Sequence, residues 1–376
     1  MPKPSIALAW GMGATLEEEI RQRIRSGGPI PFAEFMRLAL YHPAHGYYAR
    51  RVPGPTSDFS TSPSISPWFG RLLARHLEHM WVALGRPNPF TVVEVGAGGA
   101  DLASAGLAAA APPLASALRW RIVEPFEEIR RRQRQRLEAA PAEWAHSLTG
   151  EPPVTGCILA NEVLDNLPVH LLEIAGGQAQ EIHIGVQGER FVERPGPLSE
   201  HALRAPAHRA VAHLQDGDRF EVCLELDTWC AQASAALERG YLLVIDYGDV
   251  EPSLWLRRPA GSLVTYRDGR MGIDALRDPG LADITSHVNF SALERAAGRA
   301  GLRPQPLMAQ GDWLRRLGLT EIIDSLRQDQ REAQLRKRHD QALAALAERS
   351  RAAALGVSGG LGDFLVFLAE KEASIP

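Results

Sequence analysis

The segment Thr91-Val-Val-Glu-Val-Gly-Ala-Gly-Gly-Ala100 limits what this chain can fold into more than any other. A short apolar, β-branched run ends at Val95. Gly96, Gly98 and Gly99 follow at once, and helix-forming sequence begins near Asp101. A strand that turns through glycines into a helix lets a ligand approach the backbone and points the helix N-terminus at it. Runs of the same kind recur at 119–123, 154–160 and 241–245, with helical sequence between them. Runs that are apolar nearly throughout suit strands covered on both faces. Their alternation with helices predicts an α/β fold with a doubly wound sheet.

The flanks add to this core. Residues 1–85 read as a helical region, in which Thr15 and Glu18 form a capping box. It carries irregular loops at 41–48 and 54–63, then a helix over 67–84. The core spans 86–250. Within it, the polar stretch 170–226 has strand-like pieces at 170–175, 180–185 and 219–226, and reads as an insertion or as extra strands. Residues 251–318, rich in Gly, Pro and Asp at their start, read as a substrate-side or lid region. Residues 319–376 form a tail. It is helical and charged over 319–354, where it could pair with a partner, and its last run at 364–369 is a strand rejoining the sheet.

Composition narrows the function. Of 376 residues, 45% are apolar and 23% charged, enough to bury a sizeable core. A formal net charge of −4 gives no basic field for nucleic acid. No apolar run is long enough to span a membrane. Met1 to Trp10 matches neither a secretory signal nor a transit peptide. Cys157, Cys223 and Cys230 lack zinc-type spacing and read as reduced thiols in a cytoplasmic protein, with no metal site.

The glycine turn admits three readings. A dinucleotide fold needs a third glycine at position 101, where Asp101 would repel a pyrophosphate. The acidic-x-Gly-x-Gly loop of methyltransferases fits Glu94, Gly96 and Gly98. There Glu94 accepts from the ammonium of the methionine moiety or orients the loop. The third reading is a turn with no ligand. Glu124 closes the second strand, where a carboxylate can hold a ribose diol, although a surface glutamate at a strand end looks the same. The basic run 130–136 reads as a solvated helix face. Asn161, Glu162 and Asp165 end the third strand, and one helical turn would bring Glu162 beside Asp165. Two carboxylates so placed need a cation between them. The alternative is that Asn161 simply caps the next helix.

Nine motifs in order then carry a resemblance. They are Gly28-Pro-Ile-Pro-Phe-Ala-Glu-Phe-Met36, Pro43-x-x-Gly46-Tyr-Tyr, Asp58-Phe-x-Thr-Ser-Pro-x-Ile-Ser66, Phe69-Gly70, Glu94-x-Gly-x-Gly98, Asn161-Glu-x-x-Asp-x-Leu-Pro168, Asp246-Tyr-Gly248, Gly261-Ser-Leu-Val-Thr-Tyr266 and Asp283-Ile-Thr-Ser-His-Val288. Together they resemble the MidA-type methyltransferases, whose mitochondrial members assist respiratory complex I assembly. The resemblance implies a class I methyltransferase fold, Rossmann-like, with S-adenosyl-L-methionine as cofactor. It implies a protein substrate, with symmetric arginine dimethylation of a complex I subunit in the mitochondrial case. On that basis Glu94, Gly96, Gly98, Gly99, Glu124 and Asn161 are candidates for the cofactor. Glu162 and Asp165, with Asn161, are candidates for gripping a guanidinium by bidentate hydrogen bonds. Asp58, Pro63, Tyr266 and His287 are candidates for the acceptor pocket. Two departures favour a rival, a catalytically silent assembly protein that keeps the fold. Ala100 stands at the family's third glycine, where right-handed helical angles are expected of it, and Gly99 replaces a frequent Arg. Asn161 stands where several eukaryotic members have His. A nicotinamide-dependent reductase is disfavoured by Asp101.

Overall fold

The computed structural model describes residues 15–50, 62–138, 140–272 and 274–371. Six strands build the main sheet: β1 (Phe90–Val95), β2 (Leu118–Val123), β3 (Ala142–Ala145), β4 (Val154–Asn161), β5 (Leu237–Asp246) and β6 (Leu365–Lys371). Their spatial order is β6-β5-β4-β1-β2-β3. The first five run parallel, and β6 lies antiparallel on β5 with Leu243 opposite Leu368. Short strands Arg303–Pro304 and Met308–Ala309 cover the outer edge of β6. This is the doubly wound arrangement that the apolar runs predict, and the reason is burial. Val92, Val93, Ile158, Leu159 and 242–245 are all buried, on both faces of the sheet. Helices Pro67–Ala83 and Asp101–Ala109 close one face, and helices Glu225–Ala235 and Phe290–Arg299 close the other.

The chain leaves β1 towards β2 and β3, then returns to place β4 on the other side of β1. Strand order reverses there, and the crevice beyond the C-terminal ends of β1 and β4 is where such sheets bind ligands.

A second, antiparallel sheet joins His170–Ala175, Gln178–Gln187, Arg190–Gly196 and Arg219–Val222 with the short Ile30–Pro31. Its side chains alternate between two cores, as a strand's period of two requires. Leu171, Ile182 and Ile184 face the N-terminal helices Leu16–Gly27 and Phe32–Tyr41, while Leu172, Ile174 and Phe220 face Leu203, Leu254 and Trp255. The N-terminal helices therefore pack on this second sheet. The Thr15 capping box forms in both directions: Glu18 N–H donates to Thr15 Oγ1 at 3.3 Å, and Thr15 N–H donates to the Glu18 carboxylate at 2.8 Å. Helices Leu319–Leu335 and His339–Ala354 pair with each other as a hairpin. Among the described residues no helix is long and apolar enough to cross a membrane. No cluster of metal-ligating side chains is found among them either.

Candidate functional site

A cavity of about 490 Å³ opens over the C-terminal ends of β1, β2 and β4. Its floor is the glycine turn, the Glu124 turn and the Asn161-Glu-Val163 turn. Arg37, Tyr41 and Tyr48 come down from the N-terminal region, and Trp229 closes the side.

The glycine turn holds three left-handed residues: Gly96 at φ +66°, Gly98 at +50° and Ala100 at +61°. The expectation of right-handed angles for Ala100 is thus corrected. The residue sits left-handed and fully buried just before the helix Asp101–Ala109. That conformation costs an L-residue roughly 1–2 kcal/mol, which is the physical reason a glycine suits the position. Burial of the Ala100 methyl group offsets about 0.8 kcal/mol of this. The turn is braced from outside. Gln133 Nε2 donates to the Gly98 carbonyl at 2.9 Å, and Trp144 Nε1 donates to Gln133 Oε1 at 3.0 Å. Asp101 is paired with Arg136 at 2.5 Å.

Three carboxylates reach the cavity from three strand ends. Glu94 is buried and accepts a hydrogen bond from Trp120 Nε1 at 2.7 Å, and burial pushes its carboxyl up to about 8. Glu124 accepts from the Phe126 N–H at 2.9 Å, and burial pushes it up to about 7. Glu162 has the left-handed φ of +53°. Its Oε1 accepts from Ser62 N–H at 3.3 Å and from Asn161 Nδ2 at 3.2 Å. Burial, with the nearby Asp165 charge, pushes it up to about 8.

The one-turn pairing of Glu162 with Asp165 does not form. Glu162 is left-handed, and a 3-10 turn occupies Leu164–Asn166, so no common helix face carries both. Asp165 is buried outside the cavity wall, where its Oδ2 accepts from Tyr247 Oη at 2.5 Å. Nor does Asn161 cap a helix, since its amide is turned to Glu162. Pro63 lines the cavity. Tyr266 and His287 do not. Tyr266 lies on the small strand Val264–Arg267, where burial and the carboxylates of Asp165, Asp283 and Glu162 raise its hydroxyl. His287 packs edge-on against Tyr247 at 5.1 Å, and burial pushes its imidazole down to about 4. Asp58 lies outside the described residues.

Sequence reasoning did not single out Arg37, Tyr41, Tyr48, Asn166, Glu225 or Trp229. The Tyr41 and Tyr48 rings stack at 5.5 Å. Tyr48 Oη donates to Asp283 at 3.1 Å, Asn166 Nδ2 donates to the same carboxylate at 3.0 Å, and Tyr41 Oη donates to the Asn166 carbonyl at 3.1 Å. Arg37 pairs with Glu225 beside the cavity. The tyrosines fall inside or beside a quoted motif, but only the second sheet carries their segment to the core.

Desolvated carboxylates suit a ligand that brings positive charge into the cavity. S-adenosyl-L-methionine does so, with a sulfonium and an ammonium against one carboxylate. A pyrophosphate would add further negative charge beside them. Fold and site together define a class I methyltransferase. The chain belongs to the family described as "Putative S-adenosyl-L-methionine-dependent methyltransferase", whose model matches residues 72–308. Its cofactor is S-adenosyl-L-methionine. Among its relatives is the Drosophila melanogaster protein named protein arginine methyltransferase NDUFAF7 homolog, mitochondrial. It is 29% identical over 331 residues, 80% of this chain and 74% of that one. The Homo sapiens protein arginine methyltransferase NDUFAF7, mitochondrial, is 29% identical over 313 residues, 73% and 67% of the two chains. A crystal structure of a Burkholderia thailandensis protein bound to S-adenosyl-homocysteine matches with a TM-score of 0.83 and 28% identity, covering 95% of this chain and 92% of that one.

Proposed function

We propose that this methyltransferase acts on arginine side chains of a partner protein, dimethylating them symmetrically, and that the partner is a respiratory complex I subunit or a protein like it. The names of the relatives support arginine as acceptor. The observation that carries the reading is Glu162, a largely buried carboxylate at the end of β4 that shares one cavity with the glycine turn.

In this reading Glu94 takes the ammonium of the methionine moiety, and Gly96, Gly98 and Gly99 let the ligand lie against the backbone. Glu124 takes the ribose diol. When bound, S-adenosyl-L-methionine supplies a methyl group on a sulfonium. An arginine guanidinium, with a pKa above about 12, is a poor nucleophile. The Glu162 carboxylate accepts its N–H groups and aims one nitrogen along the line of transfer. Asn161 and the Ser62 N–H hold Oε1 in place. The guanidinium proton displaced by methylation passes to Glu162, whose raised pKa in the dry site suits it to receive one. Asp165 braces this turn through Tyr247, against which His287 packs. Pro63 shapes the acceptor side. Asp58, four positions before Ser62 in the sequence, is the candidate for a second carboxylate on the guanidinium.

In the division of the chain into 1–85, a core 86–250, 251–318 and 319–376, the first and third then supply the acceptor side, and the last supplies a helical tail and the final strand that rejoins the core. We place the enzyme in the cytoplasm, where its three unpaired cysteines stay reduced, although the relatives named above are mitochondrial. The test is to label a cell extract with tritiated S-adenosyl-L-methionine and analyse the labelled band by mass spectrometry. Symmetric dimethylarginine is expected. Label confined to another residue type overturns arginine as the acceptor.

A further inference from the structure

Asp246, which opens the Asp246-Tyr-Gly248 motif, takes no part in the chemistry above, yet its carboxylate is completely buried. Asp246 closes β5, whose Ile245 is registered beside Asn161 at the end of β4. Asp246 Oδ2 accepts from three consecutive backbone N–H groups, those of Val163, Leu164 and Asp165, at 3.2, 3.0 and 3.3 Å. Its Oδ1 accepts from the Tyr247 N–H at 2.9 Å. Successive amides converging on one acceptor form a backbone nest, and here the acceptor is a carboxyl group of the protein itself, which burial and the nearby Asp165 and Glu162 charges push well above the usual carboxylate range.

The turn that supplies those amides begins at Glu162, whose φ of +53° is a conformation that a residue other than glycine holds only when its surroundings impose it. The Glu162 N–H donates to the Ile245 carbonyl at 2.9 Å. The last two residues of β5 thus grip the turn at its first amide and at the next three. Without the carboxyl group, three N–H groups, those of Leu164 and Asp165 buried, would lose their acceptor, and the turn would rearrange to find others. We infer that Asp246 is a positioning residue for methyl transfer: by collecting the amides of 163–165 it fixes the left-handed turn that presents Glu162 to the cavity. This rests on the reading of Glu162 as the carboxylate that holds the acceptor.

The full chain is compared with Asp246→Ala, Asp246→Asn and Glu162→Gln. Calorimetry gives the affinity for S-adenosyl-homocysteine, and hydrogen exchange with mass spectrometry follows peptides spanning 161–167. Tritiated S-adenosyl-L-methionine and a cell extract give initial rates. For Asp246→Ala, exchange at 163–165 should speed up at least tenfold and the saturated rate should fall about 100-fold, while S-adenosyl-homocysteine affinity and the KM for S-adenosyl-L-methionine stay within about threefold. Asp246→Asn keeps one oxygen for the three amides but turns its NH₂ towards the Tyr247 N–H, so its rate should fall about tenfold. Where the alanine variant fails to fold, this near-isosteric change carries the test. Unchanged exchange in the turn, or faster exchange with the rate retained, overturns the proposal. So does loss of cofactor affinity in step with the rate. Transfer that survives Glu162→Gln instead overturns the reading of Glu162, which separates the two failures.

Discussion

The turns after β1 and β4 solve the same problem in different ways. Each must expose backbone and a carboxylate at the sheet's C-terminal edge, and each does so through left-handed residues. After β1 two of the three are glycines, Gly96 and Gly98, and a side chain 35 positions on braces the turn through Gln133 and the Gly98 carbonyl. After β4 the left-handed residue is Glu162 itself, and its brace is Asp246, 81 to 83 positions beyond the amides it collects. The turn after β1 is largely written in its own residues, whereas the turn after β4 is imposed by the neighbouring strand.

The sharpest way to break this comparison is Glu162→Gln. Transfer of label from tritiated S-adenosyl-L-methionine should fall by about 10²–10⁴-fold, the range expected when a positioned proton acceptor is removed. S-adenosyl-homocysteine affinity should hold within about threefold. Parallel loss of both would mean that the two turns are one site. The complementary change is Gly98→Val. A β-branched residue at φ +50° is strained by about 1–3 kcal/mol, and its side chain adds bulk where the ligand meets the backbone. Calorimetry should show S-adenosyl-L-methionine binding weakened by about tenfold to a hundredfold. Unchanged affinity would show that the ligand does not lie on this turn.

The same contrast explains what was legible in the sequence. The doubly wound sheet follows from apolar runs, and the Glu94 and Glu124 positions follow from being one step from a strand end. Those are local signals. Arg190–Gly196 went unread because its two apolar side chains with any burial, Phe191 and Val192, are adjacent, so no period of two shows. Asp165 was expected beside Glu162 because a helix was assumed to continue from β4. The left-handed φ at Glu162 breaks that continuation, and no glycine marks the break. Tyr41 and Tyr48 reach the cavity only because helix Phe32–Tyr41 packs on the second sheet, a contact that joins distant parts of the chain.

Protonation offers a gentler probe of both turns. Glu94 and Glu162 are pushed up to about 8 and Glu124 to about 7. In the unfolded chain these groups titrate in the ordinary carboxylate range, near 4.3 or so. Their folded values are raised, so their contribution to stability is full below that range and is lost as pH rises through 7–8. The melting temperature of the free enzyme should therefore fall between pH 5.5 and 8.5. Binding of the cationic cofactor runs the other way, because it needs Glu94 and Glu124 ionised. Its affinity should rise about tenfold per pH unit for each proton released, then level off above about pH 8. Calorimetry in buffers of different ionisation enthalpy should detect that proton release near pH 7. An affinity flat from pH 6 to 8.5 would mean that the bound ligand finds these carboxylates already charged.

The smallest effect is expected at Ala100→Gly. The change relieves a left-handed alanine, worth roughly 1–2 kcal/mol. It also removes a buried methyl group, worth about 0.8 kcal/mol, and loosens the unfolded chain by about 0.4–1 kcal/mol. These nearly cancel, so denaturant midpoints should place the stability change within about 1 kcal/mol of zero and cofactor affinity within about threefold. A gain in affinity above about tenfold would show that the methyl obstructs the ligand, and that the departure from glycine has a functional cost. No equivalent relief is open to the turn after β4. Putting glycine at Glu162 would ease the same backbone strain but delete the carboxylate, so that turn has to be held from outside, by Asp246.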